Sequence, residues 1–276
     1  VNGLLYPNKP AIIMSESEKF ITHGELNELS NQGAQLFRSL GLKPGDSIAL
    51  MLENHLLFFP IIFAAWRSGL RYTAISWRLQ ANEVEYIVED CNAKVFITSK
   101  FLEENAAMLK SSLKKVHSYM LDGVSEGFSS YEESISSMPI SSIKDECQGG
   151  AMLYSSGTTG RPKGIHRKLT FSKLPYLPED DDLDLGRVVK GVYGGSDNSI
   201  YLSPAPLYHS APLGFNTGFL SLGSTSIIME KFETQKALKA IEKYKVTHSQ
   251  WVPTMFVRFL KMEEDLRRNY DISSLE

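Results

Sequence analysis

Short apolar runs alternate with helical stripes along most of this 276-residue chain, and that alternation constrains the fold more than any other feature. Thr22-His23-Gly24-Glu25 has the spacing of a capping box: the Thr hydroxyl satisfies an early helix N–H and the Glu three residues on reaches back. Leu26, Leu29, Leu36, Phe37 and Leu40 then recur on one helical face, and Gly41 supplies the stop. The turn Pro44-Gly45-Asp46 leads into a buried strand at Ile48 to Leu52. A helix over His55 to Ser68 ends at Gly69, and another over Asn82 to Asp90 precedes a strand at Val95 to Thr98. Further strands are predicted at Ala151 to Tyr154, Ile200 to Ser203, Ser226 to Met229 and Val246 to Gln250. Ala237, Leu238, Ile241 and Tyr244 form a helical stripe before the last of them. Strands alternating with helices predict an α/β fold of layered parallel-sheet units with flanking helices. There is no internal repeat.

The length fits one large or two ordinary domains at roughly 150 residues each. Lys+Arg 29 against Asp+Glu 32 leaves a net charge of -3, which argues against a nucleic-acid coat or a polybasic membrane module. The longest apolar run, Leu56 to Trp66, contains Pro60 and falls short of the roughly 20 residues a bilayer requires. The opening VNGLLYPNKP lacks the basic start and apolar core of a secretory signal. Cys91 and Cys147 are too few for a disulfide framework and too far apart for a metal knuckle. These features lead us to expect a soluble cytoplasmic chain with reduced thiols and no integral membrane segment. Composition leaves the oligomeric state open.

Two segments read as irregular. Ser125 to Ser142 is rich in Ser and Glu and is expected to be surface loop with a short helix. Pro178 to Asp184 is an acidic run without the alternating spacing and glycine of a calcium loop, so a solvated loop is expected. The chain halts after Asp271-Ile272-Ser273-Ser274-Leu275-Glu276, where a polar turn would ordinarily hand over to another strand; the expectation is a truncated chain.

The chemistry is concentrated in Tyr154 to Gly164, YSSGTTGRPKG, directly after a strand. Gly157 and Gly160 let the backbone turn tightly and present its N–H groups, while Ser155, Ser156, Thr158 and Thr159 add hydroxyls. Lys163 supplies a point charge for phosphate. The string is not a Walker loop, which ends Gly-Lys-Ser/Thr and opens a helix. Here Pro162-Lys163-Gly164 continues into strand-like Ile165-His166-Arg167, so the loop is expected to join two strands. Gly-x-Ser-x-Gly is absent, which excludes a serine nucleophile elbow. A solvated Ser/Gly-rich turn is the bland alternative.

This string resembles the phosphate-binding loop of the adenylate-forming (AMP-binding) acyl-CoA synthetases, a family that includes luciferases and peptide-synthetase adenylation domains. Thr22 to Asn54, with Gly41-Leu42-Lys43-Pro44-Gly45-Asp46 and a Leu-Glu-Asn ending, is similar to the family's first block. Ala64 to Thr98 resembles the second, and Leu202 to Gly214, SPAPLYHSAPLG at its centre, resembles the block carrying an aromatic-His pair. The resemblance implies that residues 1–276 are about two-thirds of the large N-terminal AMP-binding domain, with its remainder and a C-terminal domain absent.

The reaction it implies joins a fatty or other apolar carboxylic acid to Mg·ATP, giving acyl-AMP and pyrophosphate, and then passes the acyl group to coenzyme A. Lys163 and the loop donors Ser155, Ser156, Gly157, Thr158, Thr159 and Gly160 would stabilise the leaving pyrophosphate, with Ser155 nearest the Mg2+ ion. His209 would help place the carboxylate, and Trp251 would line the acyl channel. His23, His55, His117, His166 and His248 have no metal spacing. A carrier-protein acceptor is an alternative. Amino-acid activation is disfavoured because Val246 to Pro253 offers no Asp for an ammonium group. A third possibility is a non-catalytic nucleotide-binding remnant. The blocks for adenine, ribose and the adenylation lysine are missing, so the 276-residue chain alone is expected to be inactive.

Overall fold

The computed structural model describes residues 2–109, 113–155, 162–166, 168–171 and 185–276. Their strands are β1 (Pro10–Met14), β2 (Phe20–Thr22), β3 (Ser47–Met51), β4 (Arg71–Ile75), β5 (Ala93–Ser99), β6 (His117–Leu121), β7 (Ser129–Ser130), β8 (Gly150–Ser155), β9 (Lys163–His166), β10 (Ile200–Ser203), β11 (Thr225–Ile228) and β12 (His248–Ser249). The chain divides into two compact units. The first comprises Val1–Leu26, Asn54–Leu56 and Pro178–Glu276; the second comprises Asn27–Glu53 and Leu57–Leu177.

The first unit holds a five-stranded sheet in the order β12-β10-β11-β1-β2. All its pairings are parallel except β1 with β2. Leu202, Ile227 and Met229 meet Ala237, Ala240, Ile241 and Val246 in one apolar cluster, so helix Thr234–Tyr244 covers the sheet with the stripe its sequence shows. Val246 was expected to begin a strand. Instead the helix ends on Lys245 in the left-handed region (φ 52), and the Val246 N–H donates back to the Ile241 carbonyl at 3.1 Å. Helix termination claims Val246, and strand pairing starts only at His248.

The second unit holds a seven-stranded sheet, β7-β6-β5-β3-β4-β8-β9, parallel throughout except for β8 with β9. Helix Phe58–Arg67 connects β3 to β4, and helix Ala81–Asp90 connects β4 to β5. The first of these starts three residues later than the sequence predicts. Pro60 explains the shift: it has no N–H to donate and is tolerated only in a first turn, which a start at Phe58 provides. Gly69 follows with φ +67, and a Cβ there would meet the Cys147 sulfur at 2.5 Å, so both backbone and packing require glycine. The core of this unit gathers Met51, Val84, Ile87, Val88, Phe96 and Met120, all at 4% exposure or less.

The capping box forms as written: the Glu25 N–H donates to Thr22 Oγ1 at 3.2 Å, and the Thr22 N–H donates to Glu25 Oε2 at 2.7 Å. Ser125 to Ser142 contains the short helix Tyr131–Ser136 and strand β7. Cys91 and Cys147 are buried free thiols, and burial pushes both thiol pKa values up, Cys91 to about 11. The acidic run Pro178 to Asp184 lies outside the described residues. No described helix is long and apolar enough to cross a membrane.

Candidate functional site

The loop string is held at its stem by β8 and β9, which pair antiparallel, so the expected strand-to-strand junction is present. Ser155 stands directly opposite Lys163, and Tyr154 opposite Gly164. Opposed residues of an antiparallel pair project from the same face, with Cβ atoms about 5 Å apart. The Ser155 hydroxyl and the Lys163 ammonium therefore share one face of the ribbon, and both residues are exposed. Tyr154 and Gly164 take the opposite face. Ser156, Gly157, Thr158, Thr159 and Gly160 lie outside the described residues.

His209 and Trp251 belong to the first unit, whereas Ser155 and Lys163 belong to the second. His209 is the N-cap residue of helix Ser210–Ser221, with extended backbone (φ -78, ψ 148), and is exposed. Its carbonyl accepts from the Leu213 N–H at 3.1 Å, its own N–H donates to the Pro206 carbonyl at 3.2 Å, and its ring lies 4.5 Å from that of Tyr208. The imidazole is thus carried at the positive end of a helix, where a carboxylate is favoured.

Asn54 fixes the turn that carries this histidine, a role the sequence reading missed. Its side chain accepts from the Leu207 N–H at 2.9 Å and donates to the carbonyls of Ala205 at 3.2 Å and Met229 at 2.7 Å. One amide thereby joins the exits of β10 and β11. The only sequence cue was its place at the end of Leu-Glu-Asn.

Trp251 sits between β12 and helix Pro253–Leu260, half-buried. Its ring meets Phe259 edge-on at 5.2 Å and Phe232 at 6.1 Å, with Phe256 tilted at 6.4 Å. It packs against the cluster of Leu202, Met229 and Ile241, so the side chain has a packing role in this unit. His23 and His248 are bound into the fold through carbonyls: His23 Nε2 donates to Ser224 at 3.0 Å, and His248 Nε2 to Tyr193 at 2.8 Å.

The family model described as "AMP-binding enzyme" matches residues 3–276. The chain belongs to the AMP-binding enzyme family. Among curated members it is 32% identical over 262 residues to a 4-coumarate–CoA ligase-like protein of Arabidopsis thaliana, covering 91% of this chain and 44% of that one. It is 30% identical over 241 residues to a feruloyl-CoA synthase of an Amycolatopsis species, covering 86% and 44%. The chain therefore spans about half the length of the curated AMP-binding relatives it matches. Among solved structures, a long-chain-fatty-acid-CoA ligase of Archaeoglobus fulgidus superposes with a TM-score of 0.81 at 21% identity, over 100% of this chain and 55% of that one. The inhibitor-bound N-terminal domain of FACL13 from Mycobacterium tuberculosis gives 0.82 at 22%, over 100% and 66%. At these identities the superpositions speak for the fold, which is that of the N-terminal domains of adenylate-forming enzymes.

Proposed function

We propose that these 276 residues form most of the N-terminal domain of an acyl-CoA ligase that activates a fatty or otherwise apolar carboxylic acid as its adenylate and transfers it to coenzyme A. The observation that carries this reading is the hairpin stem, where Ser155 and Lys163 face the same way at the two ends of a glycine- and hydroxyl-rich loop. In the first step a carboxylate oxygen attacks the α-phosphorus of ATP, and the bond to the bridging oxygen breaks. The electron pair leaves with pyrophosphate. Negative charge grows on the leaving group, so fixed donors aimed at it lower the barrier.

In this reading Lys163 supplies the positive charge, and Ser156, Gly157, Thr158, Thr159 and Gly160 supply amide and hydroxyl donors. Mg2+ prefers hard oxygen ligands and binds through substrate phosphates with few protein groups, a role that the exposed Ser155 hydroxyl fits. When bound, the ion neutralises phosphate charge. His209, at the N-terminus of its helix, orients the carboxylate, and Trp251 borders the acyl site. Coenzyme A is favoured over a carrier protein as acceptor because the two relatives at 30% identity or more described above are named for CoA chemistry. A fatty acid–[acyl-carrier-protein] ligase of Streptomyces coeruleorubidus, 26% identical, keeps the second acceptor in view. Free thiols and a balanced charge support a cytoplasmic setting.

The test is ATP–pyrophosphate exchange by the full-length protein that carries this sequence, with acids from acetate to stearate and the hydroxycinnamates. Lys163→Met is expected to slow adenylate formation by about 10²- to 10³-fold. A rate within twofold of the parent would remove the hairpin from the mechanism. Histidine 209 is probed in the same assay: His209→Ala is expected to raise KM for the acid more than KM for ATP, and equal effects would make it a structural residue.

A further inference from the structure

We infer that Tyr154 and Asp90 form a latch that sets the stem of the phosphate-binding hairpin, which makes Tyr154 a positioning residue for the groups that grip pyrophosphate. The inference rests on the phosphate-binding reading given above.

Strand β8 is paired to β4 only through Gly150 and Ala151. From Met152 onward its ladder partner among the described residues is β9, in the pairs Met152↔His166, Leu153↔Ile165, Tyr154↔Gly164 and Ser155↔Lys163. A two-stranded ribbon is marginally stable by itself, so a ribbon that must hold a charge in one place needs a further tie. Tyr154 provides it. Its hydroxyl donates to Asp90 Oδ2 at 2.5 Å, and its ring packs with Tyr86 against the apolar core of the second unit. The partner strand leaves room for the ring: a Cβ on Gly164 would stand 3.0 Å from Tyr154 Cζ, 3.1 Å from its hydroxyl and 2.6 Å from Met152 Cε.

Asp90 is unexpected where it stands. It is the last residue of helix Ala81–Asp90, and a carboxylate at that end opposes the helix dipole. No basic residue in the last turn offsets it. The helix gains nothing from an acid there, but the phenol gains an acceptor. Burial, together with the bond to Asp90, pushes the phenol pKa up, so Tyr154 remains a protonated donor. Because side chains alternate along a strand, the latch acts on one face of the ribbon while Ser155 and Lys163 project from the other. Fixing the first face fixes the direction of the second.

The experiment pairs amide hydrogen exchange of the 276-residue chain with calorimetric titration of magnesium pyrophosphate. Tyr154→Phe is expected to speed exchange at residues 152–155 and 163–166 by about tenfold while β3 and β5 keep their rates, as for a local opening. It is also expected to weaken pyrophosphate binding by about three- to tenfold, the loss of one hydrogen bond, with Tm nearly unchanged. Asp90→Ala should match it, and Asp90→Asn, which keeps an acceptor oxygen, should recover most of the loss. The Tyr154→Phe/Asp90→Ala double variant should be no worse than either single one, because the two act as a unit. Gly164→Ala, which displaces the ring while leaving its hydroxyl, should loosen the same amides.

Unchanged exchange and affinity in Tyr154→Phe, or additive losses in the double variant, would overturn the latch. If the parent chain takes up no pyrophosphate, the phosphate reading itself fails and the positioning role falls with it. Uptake by the parent with equal affinity in Tyr154→Phe defeats the latch alone.

Discussion

His23 lies in the first unit at 2% exposure, with Nε2 donating to the Ser224 carbonyl. Burial, with the nearby Lys9 charge, holds its pKa below the ordinary imidazole value of 6.5. The unfolded chain therefore takes up the proton first, and stability is lost as pH falls below that value toward the folded one. The parent Tm should decline between about pH 7 and pH 5, and His23→Gln, which keeps a donor toward Ser224, should flatten that slope. An equal slope in both proteins would mean that other groups set the acid response. Lys163 and Ser155 show what a residue-level reading can and cannot reach. That a run of hydroxyls and glycines with Ser155 and Lys163 at its ends suits a polyphosphate was legible in the sequence. That they face the same way was not, since it follows from the β8–β9 register and register is not written in composition.

At the scale of elements, local signals carried furthest. The capping box at Thr22 and Glu25 and the glycine stops at 41 and 69 concern residues a few positions apart, and both are realised in the fold. Asn54 is the opposite case. Its partners Ala205, Leu207 and Met229 lie 151, 153 and 175 positions downstream, so nothing near it in the chain announces its role. Strands β1 and β2 escaped notice for a similar reason: β1 owes its place to parallel pairing with β11, more than 200 positions away. Asn54→Ala should leave the Leu207 N–H and the Met229 carbonyl short of a partner, at a cost of about 1–3 kcal/mol. Urea denaturation should show a lower midpoint with an unchanged slope. A midpoint equal to the parent's would show that water replaces the amide without loss.

For the whole molecule, the two units each enclose buried apolar clusters of their own. The chain nevertheless spans 44–50% of its curated relatives. The isolated chain is accordingly expected to melt cooperatively but to give no ATP–pyrophosphate exchange, since losing the positioning of a reactant typically costs several orders of magnitude. Robust exchange by the 276-residue chain would show that these residues suffice for adenylation. The place of β9 in the sheet has a different kind of consequence. It is the outermost strand of the seven, joined among the described residues through β8, so the stem of the hairpin lies at the margin of the sheet. On the proposed phosphate-binding reading, substitutions in the hairpin are expected to retune how tightly an anion is held while the melting temperature stays put. In evolutionary terms, and on the same reading, such a layout lets a binding segment vary under selection while the fold that carries it is inherited unaltered.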